Sequence, residues 1–167
     1  MSCLGVHFAL TDAETDHLLS YEDEQERLTY ISEEVEERYL AGPKTYAAQS
    51  DKSWDGMHRA LSDGLLTYDG GEYPLNHVVL AGRVLYTADD YIMSLKTPEQ
   101  VKAIASALEK LTEEEFRHRY NSINAKDYDG EIGEQDFKYT WGWFQEVRRL
   151  YRTAAAEGRH VLFTADQ

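Results

Sequence analysis

The two ends of the chain both read as strands, and this limits the fold more than any other feature of its 167 residues. At the start, Leu4, Val6, Phe8 and Leu10 alternate with Cys3, Gly5, His7 and Ala9, the period of two expected of a strand. At the close, His160–Ala165 is a second short apolar run. Strands so placed usually join a common core sheet, so Cys3–Leu10 and His160–Ala165 are expected in one sheet. Everything between must then pack on that sheet. The expected class is α+β, a single domain over residues 1–167 with helices packed on a small mixed or antiparallel sheet.

The intervening segments carry helix signals. Thr11 opens a capping box with Glu14, and Thr97-Pro98-Glu99-Gln100 combines a cap, a proline at the first position and a capping-box glutamine. Between Glu22 and Ala41, Leu28, Ile31, Val35 and Tyr39 fall at helical spacing among many glutamates, and Gly42-Pro43 stops the helix. Ser50 or Asp51 is expected to cap a helix holding Trp54, Met57, His58 and Leu61, with Gly64 as its stop. Pro74 predicts a brief helix through Leu80. Val84–Tyr86 and Tyr91–Leu95 read as strands around the Asp89-Asp90 turn. Thr112 starts a further helix, and a long one runs from about Glu134 to Glu157, before Gly158. On that last helix Phe137, Trp141, Phe144, Val147 and Tyr151 form a stripe that Trp143 and Leu150 widen. Such a stripe is a core face first, and its excess width suits a pocket wall or dimer surface. Trp54 and Trp141 are expected to anchor the core.

Acidic residues outnumber basic ones 31 to 17, a net charge of −14. That balance repels phosphate backbones and anionic headgroups, which disfavours nucleic acid and membrane surfaces as partners. It serves solubility, and it also suits a basic protein partner. Cys3 is the single cysteine, so neither an internal disulfide nor a cysteine-rich zinc site is expected. Residues 1–10 lack the basic and apolar regions of a secretory signal, and no apolar run approaches the ~18 residues of a membrane span. A cytoplasmic location is the expectation.

The segment Leu4-Gly5-Val6-His7-Phe8-Ala9-Leu10-Thr11-Asp12 resembles the start of the YfbM-like bacterial proteins. Asp51-Lys52-Ser53-Trp54-Asp55-Gly56-Met57-His58-Arg59-Ala60-Leu61-Ser62-Asp63-Gly64 is similar to that family's lysine-tryptophan-histidine helix. Pro74-Leu75-Asn76 and the closing helix and strand through Gly158–Thr164 also fit. The acidic stretch from Glu22 to Lys44 is longer than the family norm. The resemblance implies an α+β domain in a family of unknown function. It carries over no activity and no catalytic residue.

Asp55 and His58 share a helix face beside Trp54, a spacing that suits a general-base pair or two metal ligands. It equally suits a core tryptophan and a half-buried, hydrogen-bonded histidine. Glu115 and His118 have di-iron spacing but no second copy, so a solvated face accounts for them. With the histidines otherwise scattered, no metal and no cofactor is expected. His77 precedes a glycine-bounded segment ending at Arg83 that follows no phosphate-loop pattern.

Two function classes follow. One is a non-enzymatic acidic domain that docks a basic partner through Glu33, Glu34 and Glu37, as bacterial immunity proteins dock basic nuclease toxins. The other is a small-molecule binder or hydrolase with a pocket around Trp54, Asp55, His58, His77 and Tyr91. A deep cleft with converging polar groups separates the second from the first.

Overall fold

The computed structural model describes residues 3–167. Five strands, β1 (Gly5–Leu10), β2 (Ala47–Asp51), β3 (Arg83–Val84), β4 (Tyr91–Lys96) and β5 (His160–Asp166), form one sheet in the order β2-β1-β5-β4-β3. Every pairing is antiparallel. The two terminal strands pair along their length, from Gly5 opposite Ala165 to Leu10 opposite His160. The α+β architecture expected from the ends of the chain is the one found.

Both faces of the sheet are covered. On one face lie α4 (Trp54–Leu61), α5 (Pro98–Lys110), α6 (Glu113–Tyr120) and α7 (Glu134–Glu157). Their core takes in Ala9, Ala48, Val161, Phe163 and Ala165 from the strands. On the other face lie α1 (Asp12–Ser20), α2 (Glu24–Tyr30) and α3 (Glu36–Leu40), whose core takes in Val6, Phe8, Leu10, Met93, Leu95 and Leu162. The period of two therefore separates one core from the other rather than core from solvent, and β1 is buried at every position.

Both capping boxes form: Thr11 with Glu14 and Thr97 with Gln100 each exchange side-chain and backbone hydrogen bonds. α7 ends at Gly158 in the left-handed conformation, φ 67°. The acidic helix is continuous from 24 to 40, but its middle turn, Ile31–Val35, is a π-turn in which the Glu36 N–H donates to the Ile31 carbonyl. Ile31 and Val35 both lie buried against the sheet.

Four local expectations change. Ala47–Asp51 is a strand, and α4 is preceded by Ser53, which makes no side-chain cap bond, rather than capped by Ser50 or Asp51. The Arg149 guanidinium, bonded to the carbonyls of Lys44, Thr45 and Ala47, ties α7 to this edge. The segment after Pro74 is a single 3-10 turn, Leu75–His77, followed by a buried strap from Val78 to Ala81. Of the expected strand Val84–Tyr86, Val84 joins Arg83 in pairing with β4, and the Leu85 N–H adds one bond to the Met93 carbonyl at 2.9 Å. Trp141 is half-buried, resting on Phe116, Phe137 and Phe144, whereas Trp54 is fully enclosed.

Candidate functional site

The strand alternation that builds two cores also disperses the residues expected to share a pocket. Trp54 and His58 belong to the α4 side of the sheet, Tyr91 to the α1–α3 side. Trp54 donates its indole N–H to the Cys3 carbonyl at 2.7 Å and rests on Phe163. Asp55 is held by Arg59 at 2.6 Å, and that guanidinium also reaches the carbonyls of Asn124 and Asp127. His58 bonds the Thr67 carbonyl at 2.7 Å, and burial lowers its pKa to about 4. Asp55 and His58 are thus neighbours on the helix with separate partners. His77 bonds its neighbour Asn76 and meets Tyr73 edge-on. Glu115 and His118 are exposed. Among the described residues no three of His, Cys, Asp and Glu are grouped to hold a metal ion. Nor, among the described residues, is any helix long and apolar enough to cross a membrane.

A polar cluster invisible at the level of local motifs sits beneath the 78–81 strap. His7 Nε2 and the Tyr151 hydroxyl both donate to the Val78 carbonyl at 2.7 Å. Lys96 Nζ donates to the Val79 carbonyl at 2.5 Å, and the Ser94 hydroxyl donates to that of Leu80 at 2.7 Å. All four side chains are fully buried. Their chemistry satisfies the carbonyls of a strap that has no strand partner of its own. Burial holds the Lys96 ammonium well below its ordinary pKa, and burial together with Lys96 lowers His7 to about 3.

The cluster makes a pH prediction. The unfolded chain protonates His7 near pH 6.5, whereas the folded chain resists until about pH 3. Between those values the unfolded state binds more protons, so stability falls as pH falls through that window. His58 acts in the same sense. Denaturant titrations from pH 7 to pH 4 should show a falling midpoint, with a shallower slope in His7→Gln. An identical slope in that variant would assign the acid sensitivity elsewhere.

The acidic residues are distributed unevenly. Between residues 12 and 40 there are eleven carboxylates against two arginines, Arg27 and Arg38, which is nine of the fourteen net negative charges. This is the α1–α3 layer. Glu33, Glu34 and Glu37 are exposed on it. Both arginines are committed: Arg27 to the carbonyls of Tyr21 and Leu85, Arg38 to Glu14 and the Glu34 carbonyl.

One concavity adjoins α4, α5 and α6, and another adjoins α3. The larger, about 1410 Å³, is an open groove between α4, α5 and α6, lined by Arg59, Lys110 and Arg119 as well as Asp63, Glu114 and Glu115. Among the described residues no buried, unpartnered side-chain polar atom lines it. The smaller, about 350 Å³, lies at the end of the sheet where β1 begins and β5 ends. Val6, Gln49 and Thr164 belong to its sheet side, Glu36 and Leu40 come from α3, and Trp143 comes from α7. Trp143 thereby gives the wide α7 stripe its pocket wall.

The family model described as "Domain of unknown function (DUF1877)" matches residues 1–164. The crystal structure of YfbM from Escherichia coli, a protein of unknown function, superposes with a TM-score of 0.69 at 20% identity, covering 97% of this chain and 99% of that one. A likeness at that identity bears on the fold alone. None of the curated proteins matches the chain.

Proposed function

The chain belongs to the DUF1877 family of domains of unknown function, and we propose that it acts as an acidic docking module whose α1–α3 layer receives a basic partner protein. The observation that carries this reading is the concentration of charge: nine net negative charges in 29 consecutive residues on one side of the sheet, with both local arginines already engaged. Charge serving only solubility has no need to collect on one layer. Collected there, it raises the local potential and steers a partner of opposite sign toward one face.

The pocket reading around Trp54, Asp55, His58, His77 and Tyr91 loses its support, because these groups have separate partners and lie on two sides of the sheet. For the docking module the test is comparative capture from extracts of the native host. Wild type should retain basic proteins that a Glu33→Lys, Glu34→Lys, Glu37→Lys variant does not. Recovery of the same proteins by both, or of none by either, would remove the reading.

A further inference from the structure

We propose that the cavity at the end of the sheet receives a cationic side chain, the ammonium or guanidinium of a lysine or arginine carried by the basic partner. This rests on the reading of the α1–α3 layer as a docking surface and names where on that layer the partner is anchored. Glu36 belongs to the same continuous 24–40 helix as Glu33, Glu34 and Glu37, so a partner drawn to that helix arrives beside the opening.

The chemistry of the lining selects the ligand class. It carries three carboxylates, Glu36, Asp51 and Asp166, and no lysine, arginine or histidine among the described residues. Asp51 already accepts the Tyr139 hydroxyl at 2.5 Å. Glu36 is half-buried yet pairs with no cation and accepts no hydrogen bond among the described residues. Burial, and after it the charge of Asp166, pushes the Glu36 carboxyl above its ordinary range. An incoming cation relieves both effects at once.

Tyr91 supplies the second observation. It is 8% exposed, and its hydroxyl, beside Thr164, has no hydrogen-bond partner of normal geometry among the described residues. The strand registers set Tyr91 opposite Asp166, on the sheet face that also carries Thr164 and Val6, and all four line this cavity. A phenol oxygen without a partner is a place for an N–H donor. Trp143 and Leu40 add apolar wall, which suits the methylene stem of lysine or arginine, and an indole face attracts a cation. An anion would meet the Glu36 carboxylate, and an uncharged apolar group would leave Glu36 further desolvated with nothing to pair it. The α4–α5–α6 groove is larger, but its charges are of both signs and no orphaned side chain lines it among the described residues.

The probes are N-acetyl-lysine-N-methylamide and its uncharged norleucine counterpart, titrated into the full chain with amide shifts followed by NMR. The lysine probe should produce saturable shifts centred on Tyr91, Thr164 and Glu36, and the norleucine probe should not. Glu36→Gln should weaken the lysine probe about tenfold, the scale of one charge-assisted hydrogen bond. Tyr91→Phe should weaken it as well, whereas Glu99→Gln, an exposed carboxylate on α5, should leave it unchanged. The Glu33→Lys, Glu34→Lys, Glu37→Lys variant, built to abolish docking, should still bind the lysine probe, so failure of the cavity and failure of the docking layer are distinguishable. Equal response to both probes, no effect of Glu36→Gln in a folded variant, or loss of probe binding in the triple variant would each overturn the assignment.

Discussion

Replacing Trp54 with alanine should cost about 3–5 kcal/mol of stability, the range for deleting a large buried aromatic side chain. The indole is 4% exposed, rests on Phe163 and donates to the Cys3 carbonyl at 2.7 Å. The chain around it has little freedom to collapse into the space. Gly5 runs directly beneath, where an added Cβ would stand 2.7 Å from the indole ring and equally close to the Ser50 hydroxyl. The cavity left by alanine would therefore persist, and the loss would appear as a lower denaturant midpoint at unchanged slope. Trp141→Ala should cost clearly less, because that ring is half-buried although it touches three phenylalanines. Equal losses at the two positions would mean that the α7 stripe is as deeply anchored as α4.

Reversing Glu33, Glu34 and Glu37 to lysine should have its large effect on encounter rather than on folding. The three carboxylates are exposed, and exposed charges away from buried features usually shift stability by less than about 0.5 kcal/mol each. Six units of charge change on a layer whose net charge is −9 should nonetheless slow association with a basic partner by roughly 10- to 1000-fold at low salt. Dissociation should change far less, because rim charges act mainly on the on-rate. A comparable rise in the dissociation rate would place these glutamates inside the contact rather than around it.

The parts of the fold that could be read from the sequence are those specified by neighbouring residues. Thr11 with Glu14 and Thr97 with Gln100 announce their helices within four positions, and Gly158 announces the end of α7. Ala47–Asp51 could not be read this way. Ala-Ala-Gln-Ser-Asp has no β-branched or aromatic residue, and it becomes a strand through pairing with β1 and the grip of Arg149. The π-turn at Ile31–Val35 follows a sequence that reads as ordinary helix.

Sites were harder to read than elements because their members come from distant segments. His7, Ser94, Lys96 and Tyr151 meet only once β1, β4 and α7 surround the strap. Lys96 read alone is a charged residue at a strand end, with no local sign of its burial. Tyr91 lies apart from the Trp54 and His58 that its candidate pocket grouped it with. A period of two turns it toward Glu36 and Asp166, and away from Trp54 and His58.

The docking account is tested most directly by the rate at which the captured basic partner associates as ionic strength rises from about 0.01 M to about 0.15 M, where the Debye length shrinks from roughly 30 Å to roughly 8 Å. Stopped-flow mixing of wild type should show the association rate falling steeply across that range while the dissociation rate stays nearly constant, and the Glu33→Lys, Glu34→Lys, Glu37→Lys variant should show a much flatter fall. An association rate indifferent to salt, or an equally steep fall in the variant, would contradict the acidic layer as the surface that receives the partner.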